Sequence, residues 1–403
     1  GGVAAGLYRA RLVRSLSFLS RVISTLPPDY LDLPAFRRNQ KHRVFPDATA
    51  RNSLSYSGIG LVRRGRRHRF GLAPLAPWPI PPAFERHHMI TKKLEVAVLG
   101  AGGHLGRSLS QLINKETDWQ LSAFSRDPAH LETLFADFQR PETLCIVQND
   151  AFPGLEFDIV LNCVGLGDAG QIAQAGSALM SLTERFDSSI LSSLAAAPQC
   201  LYVAFSSGSV FGTHLANPIA RGQLASIDPA TRSASIGYSV AKLNSEIKHR
   251  LNPVLNIVDI RLYGYFSRFQ PPVGSYLMSD IVYCLREKTT LETGGADLIR
   301  DYIHPKDLLQ LIVCSAQARP INTALDAYSR APTGKFALLD RLGDEFGLKY
   351  HISDVLSQTA TNTRPQYYST DHAAHELGFE PNFSAIDAVV DECRALLDRK
   401  PCG

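Results

Sequence analysis

The stretch "LEVAVLGAGGHLGRSLSQLI", Leu94 to Ile113, constrains the fold more than any other part of the chain. Leu94–Leu99 is a short apolar run of β-forming type, consistent with a buried strand. Four glycines follow within seven residues, Gly100, Gly102, Gly103 and Gly106. Beyond them Leu105, Leu109, Leu112 and Ile113 recur at helical spacing. Residues without side chains are needed where a backbone turns sharply or approaches something closely. A strand, a glycine turn and a helix N-terminus together present backbone N–H groups and a favourable dipole to an anion.

Doubly wound folds use this arrangement to hold the pyrophosphate of NAD or NADP. A tight strand-to-helix loop with no ligand would look the same, so the rest of the chain must decide. After Met89, apolar runs at Leu94–Leu99, Leu121–Phe124, Leu144–Val147, Ile159–Val164, Leu201–Phe205 and Ile257–Leu262 read as strands. Helical patterns such as Ala129–Phe138, Gln171–Leu194 and Ser239–Arg250 separate most of them. The alternation predicts an α/β fold with a parallel, doubly wound sheet of Rossmann type. It breaks down near residue 263, where Pro- and Gly-containing loops and then helices suggest a smaller C-terminal substrate domain. The expected division is therefore a dinucleotide-binding domain over 89–262, with 299–318 packing on it, and a substrate-binding domain over 263–403.

Residues 1–88 differ from the rest. They hold 14 Arg and one Lys against four acids, a balance of +11, while 89–403 carry −7, which gives the chain its net +4. "LAPLAPWPIPP" is too rich in proline for regular structure. No Met precedes Met89. The segment is expected to be an Arg/Pro-rich extension, disordered or non-native, with the functional chain starting at Met89. A targeting leader is a second reading, because "RARLVRSLSFLSRVISTL" is rich in Arg and Ser and free of acids. A tail binding nucleic acid through Arg63–Arg69 ranks last, since no folded reader module accompanies it. The 7 cysteines are odd in number, scattered and without a CxxC pair, which fits reduced thiols in the cytoplasm and no metal site. No run approaches the ~20 apolar residues of a membrane span.

Two further segments carry chemistry. "VAFSSGSVFG" (203–212) ends a strand in serines, and "GYSVAKLNSEI" (237–247) opens a helix with Tyr238 and Lys242 four residues apart, hence on one face. A phenol with a pKa of about 10 is a poor base at neutral pH. A neighbouring ammonium stabilises the phenolate and brings it toward a useful range. A hydroxyl such as Ser207 can hold the substrate's carbonyl or alcohol. Ser207, Tyr238 and Lys242 thus supply the groups for proton transfer to or from an alcohol as hydride moves to or from the same carbon.

These residues resemble the extended short-chain dehydrogenase/reductase family, the NAD-dependent epimerases and dehydratases that modify nucleotide sugars. The glycine motif reads GxxGxxG through Gly100, Gly103 and Gly106. "SSGSVFG" is similar to the family's Ser-x-x-Val-Tyr-Gly segment and points to Ser207 over Ser206, and "YSVAK" to its Tyr-x-x-x-Lys. "IRDYIHPKDLLQ" (299–310) and "RPQYYSTDHAAHELGFEPNFS" (364–384) resemble two later signatures, so the resemblance covers about 300 residues. It implies cofactor contacts from Gly100, Gly102, Gly103, His104, Leu105, Gly106, Asp150, Tyr238 and Lys242. It also implies substrate contacts from Ser207, Arg300 and Arg364, the arginines holding a diphosphate. Arg300 could instead pair with Asp301 or Asp307. The second strand ends in Ser125 and Arg126 where NAD-binding members usually carry an acid, so NADP is expected over NAD. A solvated Arg at a strand end is the other reading.

Two departures matter. Gly208-Ser209 stand where the 4,6-dehydratases carry Asp-Glu, and Gly264 stands where the family often has Asn. The function expected is an NAD(P)-dependent oxidoreductase or epimerase acting on a sugar, most simply a nucleotide sugar. A non-catalytic dinucleotide-binding sensor or scaffold of the same fold is the alternative. The partner expected is a small-molecule substrate, with no specific nucleic acid and no membrane. A homodimer is among the assemblies open to such a chain.

Overall fold

In a computed structural model of the chain, the residues described are 93–149, 157–212, 217–231, 233–272, 274, 276–353 and 364–398. Seven strands form one sheet: β1 (Glu95–Leu99), β2 (Gln120–Ser125), β3 (Leu144–Gln148), β4 (Ile159–Asn162), β5 (Leu201–Ser207), β6 (Asn256–Leu262) and, later in the chain, β7 (Asn322–Asp326). Their order is β3-β2-β1-β4-β5-β6-β7, and every pairing is parallel. The order reverses between β1 and β4. In open parallel sheets the crevice beyond the strand ends at such a reversal is where ligands sit.

Both faces of the sheet are covered, which explains the near-continuous apolar runs. Successive side chains alternate, so Val96 and Val98 enter one core with Leu121, Ile159 and Val203, while Ala97 and Leu99 enter another with Val160, Tyr202 and Ile257. The first core is closed by α1 (His104–Glu116) and by a helix over Pro305–Gln317, which contributes Leu308, Leu309, Leu311 and Ile312. The other takes Ile190 and Leu194 from a helix over Ala178–Leu194.

The expected single helix over 171–194 is two, Ala169–Ala175 and Ala178–Leu194, because Gly176 caps the first at φ 50. The helix expected over 129–138 spans Pro128–Leu134; Phe135 and Phe138 leave it to stack on each other, ring centres 4.1 Å apart. β4 stops at Asn162, whose side-chain oxygen accepts the Val164 N–H at 3.1 Å and turns the chain.

Past residue 262 the chain builds a third core from Met278, Ile281, Leu338, Leu339, Leu342 and Val389, and it also returns to the main sheet as β7. A small sheet there places Thr333–Gly334 and Gln366–Tyr367 on either side of Ile299–Arg300. Tyr367 pairs with Arg300 in register. All described residues belong to one compact unit.

Candidate active site

The glycine turn has the geometry of an anion cradle. Gly100 adopts φ 73, a left-handed conformation that disfavours side chains. A Cβ on Gly106 would overlap the Gly100 carbonyl oxygen and lie 2.9 Å from Ala101 Cα, so the helix can start this close to the strand only with glycine there. Gly103 is the N-cap of α1 and has no side-chain cap, and the first turn has no acid. Gly102 and Gly103 are exposed. The first-turn N–H groups of α1 therefore have no side-chain cap and no neighbouring acid to compete with an anion. Burial pushes His104 down to about 4, so its imidazole is neutral and its contribution to an anion is its backbone N–H. Leu105 packs against the first core. These residues fit the diphosphate of a dinucleotide.

At the end of β2, Ser125 Oγ and the Asp127 backbone close a local turn at 3.1 Å. Asp127 caps the next helix by accepting the His130 N–H at 3.0 Å, which ties that carboxylate to the helix. Arg126 is exposed between them. Asp150 lies outside the described residues, as does the whole of 1–88.

β5 delivers two serines to opposite faces. Ser206 Oγ donates to Glu246 at 2.6 Å, and Glu246 holds Arg261 in a bidentate pair with a closest contact of 2.6 Å. Ser207 faces the other way. Its oxygen accepts the Ser209 N–H at 3.2 Å and lies 3.0 Å from the Tyr367 hydroxyl. Tyr238 and Lys242 come from the helix over Ala234–Arg250. Burial pushes the Tyr238 phenol up to about 12, and a hydrogen bond from Ser207 opposes the shift. Lys242 Nζ donates to the Phe205 carbonyl at 2.7 Å and lies 5.8 Å from the centre of the Tyr238 ring. In this arrangement the ammonium is engaged by β5, and the opposition to the burial shift at Tyr238 comes from Ser207.

Burial also holds Lys242 below the ordinary lysine range, against the charges of Asp259, Asp187 and Glu246, which favour the ammonium. A cavity of about 30 Å³ beside it is lined by Asn162, Tyr202, Asp187 and Asp259. Behind that cavity His249, with no exposure, sits between Asp187 and Asp259, at 2.8 Å from each. Burial lowers its pKa, but the two carboxylates more than offset this and raise it to about 9.

Arg300 donates to the Ile299 carbonyl at 2.8 Å. Burial lowers its pKa and the charge of Arg364 acts in the same direction, so the two guanidinium groups lie near enough to repel. Asp301 accepts the Ser329 N–H at 3.0 Å, and Asp307 accepts the N–H groups of Asn382 and Phe383 at 3.0 and 3.1 Å. Arg364 stacks over Tyr367, 4.7 Å from the ring centre. Tyr367 was not singled out from the sequence. It stands three residues after Arg364, and its register opposite Arg300 is what brings it to Ser207.

Both departures have steric causes. A Cβ on Gly208 would overlap the Tyr263 ring, whose hydroxyl donates to Asp326 at 2.9 Å. A Cβ on Gly264 would overlap the Asp301 carbonyl and lie 2.9 Å from Tyr302. Asp and Asn are excluded at these two positions. Elsewhere, His304, Asp391 and Glu392 cluster, but His304 Nδ1 accepts the Lys306 N–H at 3.1 Å and Arg268 clamps Glu392 at 2.6 Å. That cluster is a structural clamp.

The profile of the NAD dependent epimerase/dehydratase family matches residues 96–324, more than half of the chain. The protein belongs to that family. No curated protein sequence matches. Among solved structures, a UDP-N-acetylglucosamine 4-epimerase from Methanobrevibacter ruminantium in complex with UDP-N-acetylmuramic acid is 14% identical, with TM-score 0.62 over 76% of this chain and 97% of that one. A UDP-glucose-4-epimerase from Stenotrophomonas maltophila, with bound NAD and formylated UDP-arabinopyranose, is 16% identical, with TM-score 0.61 over 75% and 99%. A dTDP-glucose 4,6-dehydratase from Bacillus anthracis in complex with NAD is 12% identical, with TM-score 0.60 over 76% and 97%. These likenesses are to the fold. No helix among the described residues is long and apolar enough to cross a membrane.

Proposed function

We propose that the protein is an NAD(P)-dependent epimerase or reductase of a nucleotide sugar. The observation that carries this reading is one hydroxyl. Ser207 stands between the phenol of Tyr238 and that of Tyr367, and Tyr367 is stacked under Arg364 and paired in register with Arg300. Proton-transfer groups and an arginine pair suited to a diphosphate thus share one site at the strand ends. The solved relatives bound to UDP-sugars and NAD support the same ligand classes.

When bound, the nicotinamide supplies the hydride acceptor and donor. Ser207 donates a hydrogen bond to the reacting oxygen of the sugar. Tyr238 takes the proton from that oxygen on oxidation and returns it on reduction. Its phenol, high in this arrangement, must be lowered for that work, and the Lys242 ammonium is the group close enough to do so on leaving the Phe205 carbonyl. Arg300 and Arg364 hold the diphosphate, with residues 263–403 supplying the substrate side of the crevice. The exclusion of Asp at Gly208 argues against the dehydratase chemistry within this family.

We favour NADP over NAD because Arg126 is exposed at the end of β2 while the nearest acid, Asp127, caps a helix. A cytoplasmic location suits the free thiols of all six described cysteines. The test is competition by UDP, GDP, CDP and dTDP for cofactor-loaded protein, read by calorimetry. Binding of at least one in the millimolar range or tighter is expected; binding of none overturns the nucleotide-sugar assignment.

A further inference from the structure

We propose that Tyr367 is a positioning residue that fixes the Ser207 hydroxyl as a donor toward the reacting oxygen. The inference rests on the reading of Ser207 and Tyr238 as the proton-transfer pair. It follows from counting donors and acceptors. A phenol is a stronger hydrogen-bond donor than an aliphatic hydroxyl, and the Arg364 guanidinium over the Tyr367 ring, 4.7 Å from its centre, draws electron density from it. In the 3.0 Å contact between the two hydroxyls Tyr367 is therefore the donor and Ser207 the acceptor. That oxygen already receives the Ser209 N–H at 3.2 Å. A serine hydroxyl has two acceptor positions and one proton. With both acceptor positions filled, the Ser207 proton has one direction left, toward Tyr238 and the substrate oxygen beside it.

The result is a directed chain, Tyr367 to Ser207 to Tyr238, with the Arg364 charge stacked on the Tyr367 ring at its far end. A chain of this kind polarises its members in one sense, so the phenolate of Tyr238 is favoured. The chain also connects an arginine of the proposed diphosphate site to the proton-transfer phenol. Its rigidity comes from the backbone: Tyr367 is held in register against Arg300, and its ring packs 5.3 Å from that of Tyr263. Tyr263 is itself anchored on Asp326. Tyr367 does not touch the reacting carbon in this role. It orients the residue that does.

The test uses Tyr367→Phe, Ser207→Ala and the double variant in cofactor-loaded full-length protein. Tyr367→Phe removes one oxygen and keeps the stacked ring. The first readout needs no substrate. Tyrosine absorbance at 295 nm is titrated with pH, and the Tyr238 contribution is isolated by subtracting the same titration of Tyr238→Phe in each background. Tyr367→Phe is expected to move the Tyr238 titration upward, and to leave it unmoved once Ser207 is already alanine. An unmoved titration in the Ser207 background, or an equal shift in the alanine background, overturns the proposal. The second readout is nicotinamide absorbance at 340 nm with UDP-glucose, or whichever nucleotide sugar the competition identifies. Turnover is expected to fall about fivefold, the worth of one neutral hydrogen bond, with KM within twofold. A raised KM at unchanged turnover would instead place Tyr367 in nucleotide binding and overturn the proposal. If no nucleotide binds but the titration behaves as expected, the substrate assignment fails and the positioning role stands.

Discussion

His249→Gln tests the buried charge network that keeps Lys242 in company with two carboxylates. His249 has no exposure and lies 2.8 Å from both Asp187 and Asp259. The other groups packed on this pair are Lys248, 2.6 Å from Asp187, Arg250, 2.6 Å from Asp259, and the Tyr202 hydroxyl, which donates to Asp187 at 2.9 Å. The His249 pKa rises from 6.5 to about 9 on folding, since both carboxylates favour the imidazolium. A raised folded value means the folded state holds the proton more tightly. The added stability is therefore complete below pH 6.5 and is lost as pH rises toward 9. The span corresponds to about 3 kcal/mol. For a folded unit of roughly 300 residues that is a change in Tm of about 5 °C. Glutamine keeps hydrogen-bonding capacity but carries no charge at any pH. Thermal unfolding of both proteins between pH 6 and pH 9.5 should show a wide gap at the acid end that closes at the alkaline end. Lys248 and Arg250 remain charged in both, and burial and Asp187 push the Tyr202 phenol well above this window, so they cancel in the difference. A gap that stays constant with pH would show that His249 is neutral in the fold and that the other cations hold the network.

Gly106→Ala should destabilise the chain by about 1–3 kcal/mol and weaken cofactor binding at least tenfold, because the new methyl meets the Gly100 carbonyl; cofactor titration and thermal unfolding check both effects. Arg300→Ala should raise KM for a nucleotide sugar by roughly tenfold or more with a smaller loss of turnover, since the diphosphate is remote from the reacting carbon. Arg126→Glu should reverse the cofactor preference from NADP to NAD in parallel binding isotherms; an unchanged preference would mean that Arg126 only meets solvent.

The six strands expected from apolar runs are all present; the central ones are apolar along their length because both faces are buried, while β3, at the sheet edge, was legible from its aliphatic residues although none of them is fully buried. The seventh escaped because "NTALD" is polar at its start, with its first three residues only partly buried. The break in the helix over 171–194 turned on Gly176 alone, and a single glycine within a helical pattern reads equally as tolerated or as a stop. In the site, the glycine turn and the Tyr238–Lys242 spacing are local and were legible. The Tyr367 contact joins positions 160 residues apart, and nothing in "RPQYY" marks it before the small sheet sets its register. The same holds for Asp259. An acid in the middle of "NIVDIRL" makes sense only once His249 and Arg250 from the preceding helix are seen to meet it. The engagement of Lys242 by the Phe205 carbonyl was likewise invisible, because helical spacing fixes which face a side chain occupies and not which acceptor it finds there.

The most direct measurement of the central claim is absorbance at 340 nm of cofactor-loaded protein mixed with UDP-, GDP-, CDP- and dTDP-sugars, run in parallel on the wild type and on Tyr238→Phe. At least one sugar should change the nicotinamide signal in the wild type, and the change should vanish in the variant while cofactor affinity stays nearly intact. A signal that persists above a tenth of its rate without the phenol would contradict the role given to Tyr238, and no signal with any nucleotide sugar would contradict the function.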